Sequence, residues 1–193
     1  MGNFYANVTL VGVRPERVAA ELELARQEAY LYAEGGDVVV FPPLGEEAEL
    51  PALAGLLAGR LRVPALSVMV IDSDVLLFHA YDAFGELRDQ YDNAPGYFGD
   101  ADAEGLPQGA DGMPLPVGGD AALLVALAAH GDAAVLEATL RREWESYTFA
   151  EELHQAVLEE LGLPLAAVGT DYGLVADGQR PAGDGAWCHV TAA

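Results

Sequence analysis

Residues 3–13 alternate. Phe4, Ala6, Val8 and Leu10 point one way and Tyr5, Asn7, Thr9 and Val11 the other, the period-two pattern of a half-buried strand. Pro15 then opens a helix, because its missing N–H is unused in a first turn. Val18, Leu22, Ala25, Ala29 and Tyr32 recur at steps of four and three, one face of a long helix that Gly35–Gly36 ends. "DVVVF" (37–41) is apolar throughout, which predicts a strand internal to a sheet. Leu53, Leu57 and Leu61 mark a second helix over 50–62, and Pro64 starts the strand "ALSVMVI" (65–71). That run turns at Asp72-Ser73-Asp74 into "VLLFHAY" (75–81), which turns at Asp82–Gly85 into "ELRDQY" (86–91). Short Asp, Ser and Gly connections between apolar runs predict antiparallel hairpins.

The next stretch breaks the periodicity. "DNAPGYFGDADAEGLPQGADG" (92–112) holds five carboxylates, five glycines, two prolines and no basic residue, and the aperiodic segment runs on to Gly119. It exceeds the roughly 12–15 residues beyond which a structureless loop in a compact domain is usually functional or disordered. Helical signals follow. Asp120 is placed to cap "AALLVALAAH", which Gly131 ends, and Asp132 to cap "AAVLEATLRREWES". Thr148 and Glu151 have capping-box spacing before "FAEELHQAVLEELG". The tail "LAAVGTDYGLVADGQRPAGDGAWCHV" predicts a short strand pair turning at Asp177-Gly178. The expectation is one α+β domain with a mostly antiparallel sheet, helices packed on one side, and a helical second half docked on it. Residues 1–92 form its β-α-β-α-β-β-β part, 93–119 an acidic Gly/Pro-rich loop, and 120–193 the helical part with the C-terminal strand pair.

Composition narrows the class of partner. Of 193 residues 52% are hydrophobic, enough for a sizeable core and incompatible with disorder of the whole chain. No apolar run reaches the ~18 residues that span a bilayer. The start "MGNFYANVTLVGV" reads as a mature strand rather than a signal peptide, so a cytoplasmic protein is expected. Cys188 is the only cysteine, which excludes an intramolecular disulfide and a cysteine metal cage. The net charge is −22, with nine arginines and no lysine, and only Arg141–Arg142 are adjacent. Phosphate backbones need clustered cations, so nucleic acid and anionic membrane are not expected partners. The long-range field favours a cation or a basic protein surface.

Candidate chemistry is sparse. Asp100, Asp102, Glu104, Gly105 and Asp111 approximate a calcium loop, in which alternate carboxylates around a sharp glycine turn ligate the ion. Glu104 replaces a shorter side chain, Asp111 a longer one, and "NAPGYFG" stands where a helix normally precedes, so a solvated acidic connector is the plainer reading. No other cofactor is expected. Glu151 and His154 lie three apart on a helix, half of a di-metal motif without its second copy. Asp72, Asp74, Asp89 and Asp92 sit at strand ends and turns, where a metal-assisted hydrolase would gather carboxylates, although aspartates there also form turns. His79 shares a strand face with Val75, Leu77 and Tyr81 and reads as a core or edge histidine; His130 ends a helix. Cys188 and His189 are neighbours that a strand points to opposite faces, which leaves no nucleophile pair. Leu24 and Leu31, seven apart on the first helix, make a second apolar ridge, either core or a homodimer surface.

Three blocks carry a resemblance. "MGNFYANVTL", "DSDVLLFHAYDAFGELRDQYDNAPGYF" and "GLPLAAVGTDYGLVADG" resemble an uncharacterised family of bacterial hypothetical proteins. The resemblance covers most of the chain and implies one intact folding unit. It implies no activity, so no functional residue is carried over. The functional expectation is a non-enzymatic acidic binding protein of regulatory or toxin-neutralising type, with a calcium module and a metal-assisted hydrolase as alternatives.

Overall fold

The computed structural model describes residues 2–43, 49–98, 105–109, 112–143, 146–181 and 183–192. These form strands β1 (Tyr5–Leu10), β2 (Ala29–Glu34), β3 (Asp37–Phe41), β4 (Ala65–Ile71), β5 (Val75–Tyr81), β6 (Leu87–Asp92), β7 (Val117–Gly118) and β8 (Ala186–Val190). The helices are α1 (Pro15–Ala25), α2 (Glu49–Leu61), α3 (Ala121–Ala128), α4 (Ala133–Leu140), α5 (Ala150–Leu161) and α6 (Tyr172–Ala176). One eight-stranded sheet runs in the order β7-β6-β5-β4-β1-β3-β2-β8, and every pairing in it is antiparallel. The fold is α+β. Among the described residues no helix is long and apolar enough to cross a membrane.

Strand alternation divides the core in two. Ala6, Val8 and Leu10 face α1 and α2, packing with Val18, Leu22, Leu57 and Leu61. The opposite face, including Tyr5, Val68, Phe78 and Tyr91, lies under α3, α4 and α5, packing with Leu124, Leu136, Leu153 and Leu158. The helices of the first half thus share one side, and the helical second half docks on the other.

Five expectations are corrected. The first helix stops at Ala25 instead of reaching Gly35. Arg26 adopts φ +54°, and the Arg26 and Gln27 N–H groups return to the Glu23 and Leu22 carbonyls, closing a Schellman motif without glycine. Residues 29–34 are β2, and Gly35–Gly36 (φ +65° and +103°) form its two-residue hairpin turn into β3, a conformation that glycine adopts without steric cost. The Leu24–Leu31 ridge therefore does not exist: Leu24 is exposed on α1, while Leu31 is a fully buried residue of β2. The Thr148–Glu151 capping box is also absent. Phe149 is the N-cap of α5, the Ala150 N–H goes to the Ser73 carbonyl (2.7 Å), and Glu152 Oε2 accepts the Thr148 N–H. Helix α4 ends at Leu140 rather than running to Ser146, as the Arg141 guanidinium takes the Gly118 and Gly119 carbonyls. Among the described residues the tail forms no hairpin. Residues 172–176 are helix α6, capped by Asp171, and β8 adds to the β2 edge.

Candidate functional site

The turn between β4 and β5 ties three distant segments together. Asp72 and Ser73 both have positive φ (+54° and +61°), a conformation costing of order 1 kcal/mol or more at each non-glycine residue. The surroundings hold it there. The Gly2 N–H donates to Asp72 Oδ1 (2.8 Å) and the Asn3 N–H to Ser73 Oγ (2.7 Å), while the Ser73 N–H returns to the Asn3 carbonyl (2.9 Å). Ser73 Oγ donates to Glu151 Oε1 (2.8 Å), and the Ser73 carbonyl caps α5. Asn93, 2% exposed, accepts the Leu76 N–H and donates to the Asp74 carbonyl and the Tyr147 hydroxyl. The Tyr97 hydroxyl donates to Asp74 Oδ2 (2.9 Å), and that bond raises the Tyr97 pKa.

These anchors bring four exposed aromatic side chains to one end of the sheet. Phe4 (45% exposed) arrives with the N-terminal segment, Phe149 (52%) with the start of α5, and Tyr97 (37%) and Phe98 (59%) with the loop after β6. The last two meet edge to face, with ring centroids 5.1 Å apart. Asp72 and Asp74 belong to the turn at this end, and among the described residues neither carboxylate is paired with an arginine. Six of the nine arginines are held elsewhere: Arg17 on the Leu61 carbonyl, Arg60 on Glu21, Arg62 over Phe84, Arg88 on Asp82, Arg141 on Glu137, and Arg180 over Trp187.

Beside this end, the sheet face over β5 and β6 is open. Helix α2 crosses it at the far end of β5, where Gly55 lies against the Tyr81 ring and Gly59 against the Phe84 carbonyl. The remainder is a cleft of about 430 Å³ lined by Leu77, His79, Gln90 and Asp92 of the sheet and by Pro95 and Leu106 of the loop. His79 pairs across the strands with Gln90, and Leu77 with Asp92, so the three polar side chains share one face. Desolvation lowers the His79 pKa. Ser67 lies opposite His79 on β4, but its buried Oγ has no hydrogen-bond partner among the described residues, so no Ser–His dyad is formed.

The other predicted residues are scattered. Asp89 accepts the Gly119 and Asp120 N–H groups, and Asp92 Oδ1 the Ala94 N–H. With Asp72 and Asp74 employed at the turn, the four aspartates do not converge; among the described residues no three His, Cys, Asp or Glu side chains are placed to hold a metal. Asp100, Asp102, Glu104 and Asp111 lie outside the described residues. His154 is buried, its Nδ1 sharing a 2.7 Å hydrogen bond with the Tyr5 hydroxyl and its Nε2 without a partner among the described residues, and desolvation pushes its pKa down to about 3. Burial raises the Tyr5 pKa as well. His189 stacks on Tyr30 (4.2 Å) and meets Glu28 at 3.0 Å; the Tyr172 hydroxyl also donates to Glu28, which pushes the Tyr172 pKa up to about 12. His130 is exposed against Gly162, and Cys188 and His189 do face opposite ways.

Sequence reasoning missed the grouping of the aromatics and the His79–Gln90–Asp92 face. The alternation of β5 and β6 carried the second. Nothing local carried the first, because the segments bearing residues 4, 97, 98 and 149 are tied to one end of the sheet only through the turn. No protein-family model, no curated protein and no solved structure matches the chain.

Proposed function

We propose that this protein is a non-enzymatic binding protein, of regulatory or toxin-neutralising type, that engages a basic protein surface with the acidic aromatic end of its sheet. The supporting observation is that Phe4, Tyr97, Phe98 and Phe149 are exposed at the end of the sheet that carries Asp72 and Asp74, with neither acid paired to an arginine among the described residues. Exposed aromatic rings beside carboxylates suit arginine and lysine: the ring faces attract cations, and the carboxylates give directed, charge-assisted hydrogen bonds. Aromatic and arginine side chains are also the residues that dominate binding energy at protein interfaces. The net charge of −22 adds attraction at long range, which speeds encounter.

The test is fluorescence anisotropy with a short arginine-rich peptide and an acidic control peptide, over a salt series. Binding should weaken steeply with salt, and Phe98→Ala with Phe149→Ala should weaken it tenfold or more, while Leu24→Ala on α1 leaves it unchanged. Equal binding by the double aromatic variant would mean diffuse attraction to an acidic surface, and the reading would fall.

A further inference from the structure

The outer edge of β8 is left open in a form suited to pairing. Gly35–Gly36 make a two-residue turn, so Glu34 and Asp37 are the hydrogen-bonded pair that closes the hairpin, and bonded positions alternate from there. Tyr30, Tyr32 and Glu34 therefore turn their backbone groups to β3, while Ala29, Leu31 and Ala33 turn theirs to Val190, Cys188 and Ala186 of β8. The N–H and C=O groups of Trp187 and His189 are left pointing away from the sheet, and among the described residues no strand lies beyond β8. A single weak contact reaches them there, from Cys188 Sγ to the His189 carbonyl at 3.9 Å. Proteins blunt such edges with lysine, proline, charge or brevity. The opposite edge strand, β7, has two residues, and its neighbour β6 carries Asp89 and Asp92. In contrast β8 runs for five residues, Ala-Trp-Cys-His-Val, without a carboxylate, in a chain that has 31. Arg180 stands over the Trp187 ring and Glu28 bonds His189, so the side chains that β8 engages carry one charge of each sign. Two copies of a chain of net charge −22 repel least at an edge of this kind.

We infer that β8 pairs antiparallel with β8 of a second copy of this chain, about a two-fold axis through Cys188, joining the two sheets into one. This register uses all four free backbone groups: Trp187 exchanges two hydrogen bonds with the partner's His189, and His189 two with the partner's Trp187. A register centred on Trp187 would set His189 against Gly185, whose N–H is already held by the Tyr32 hydroxyl (3.1 Å). One centred on His189 would set Trp187 against Thr191, outside the strand. The side chains agree on both faces. On one face the rings already form a ladder, Tyr30 stacking on His189 (4.2 Å) with Tyr32 and Phe41 against Trp187 (5.0 and 5.6 Å). A second copy extends that ladder in reverse order, as aromatic cross-strand pairs. On the other face Ala186 meets the partner's Val190, and Cys188 meets the partner's Cys188.

The experiment is sedimentation velocity over a concentration series of the purified protein at low and high salt. A dimer should form, and salt should strengthen it by screening the repulsion between copies, the opposite sign to the peptide binding proposed above. Cys188→Asp alters an exposed side chain and sets two carboxylates face to face, so it should weaken dimerisation tenfold or more, while Cys188→Ser leaves it intact. His189→Pro removes an outward N–H and no backbone bond to β2, and should also give a monomer. In the inferred register the two Cys188 residues form a non-hydrogen-bonded pair with Cα atoms about 4.5 Å apart, within the disulfide range of about 4.4–6.8 Å. Diamide, which takes up the two protons and two electrons released, should therefore link wild type into a covalent dimer tenfold faster than His189→Pro. A monomer at every concentration and both salts, undiminished dimerisation of Cys188→Asp, or equal linking of wild type and His189→Pro would each overturn the inference. The peptide anisotropy is read separately, so either reading falls without the other.

Discussion

The buried Tyr5–His154 pair makes stability depend on pH with a defined sign. His154 is 1% exposed, its Nε2 meets no partner among the described residues, and desolvation holds its pKa down at about 3. In the unfolded chain the imidazole titrates near its ordinary value of about 6.5. Between these values the unfolded state binds a proton that the fold excludes, so the stability from keeping His154 neutral is complete above about pH 6.5 and is lost as pH falls toward 3. At pH 5 the loss is RT ln(1 + 10^1.5), about 2 kcal/mol. The 31 carboxylates also titrate and relieve their own repulsion on acidification, so the wild-type profile alone is not diagnostic. The comparison is with His154→Gln, which cannot titrate, and with Tyr5→Phe/His154→Leu, which replaces the pair by apolar groups. Urea midpoints at pH 8 and pH 5, with slopes shown to be equal, give the stabilities. Wild type should lose about 2 kcal/mol more than either variant over that interval. Identical pH profiles for all three proteins would mean that His154 is hydrated or protonated in the fold, and the reasoning would be refuted.

Three further outcomes are expected. Asn93→Ala leaves the Leu76 N–H and the Asp74 carbonyl without their partner, and should cost about 2–3 kcal/mol by urea unfolding while loosening Tyr97 and Phe98. Gly118→Ala places a Cβ 1.7 Å from the Gln90 carbonyl oxygen at φ +69°; it should detach β7, cost about 2 kcal/mol or more, and speed exchange of the Gly119 amide, which bonds that same carbonyl. Thermal unfolding in millimolar calcium and in magnesium at constant ionic strength should give equal small shifts. A calcium-selective gain approaching the ~2.7 kcal/mol expected at a hundred times the dissociation constant, abolished by Asp100→Ala and Asp102→Ala, would instead make the acidic loop a metal site.

Legibility in the sequence followed the range of the interaction. The strands of β4, β5 and β6 and their turns were readable because period-two alternation and Asp/Ser/Gly connections are local. The N-caps Asp120 and Asp132 were readable for the same reason, and both side chains accept the expected first-turn N–H groups. The end of α1 was not readable, because Arg26 occupies the left-handed position where glycine is the usual marker. Ala25, Ala29 and Tyr32 continued the helical period by coincidence, although the alternation in "AYLYAE" before Gly35–Gly36 was equally a hairpin signature. At α5 the capping-box spacing was overridden by a tertiary bond, since Ser73, 77 residues before Ala150, supplies the cap. The candidate site combines both regimes. His79, Gln90 and Asp92 follow from strand register, whereas the exposed aromatics share one end of the sheet only because the N-terminal segment, the loop and α5 are tied to one turn.

The β2–β8 pairing sets a clock for synthesis. Tyr32 and Trp187 are partners 155 residues apart, so at about 5–20 residues per second β2 waits roughly 8–30 s on the ribosome before its outer edge is covered. Through that interval β2 is an open edge bearing Tyr30 and Tyr32, the kind of edge that recruits a strand from a neighbouring nascent chain. No lysine or proline lies within β2 to blunt it. Mutual repulsion among chains this acidic is the safeguard available from composition, so the negative charge serves the unfinished protein before it serves the folded one.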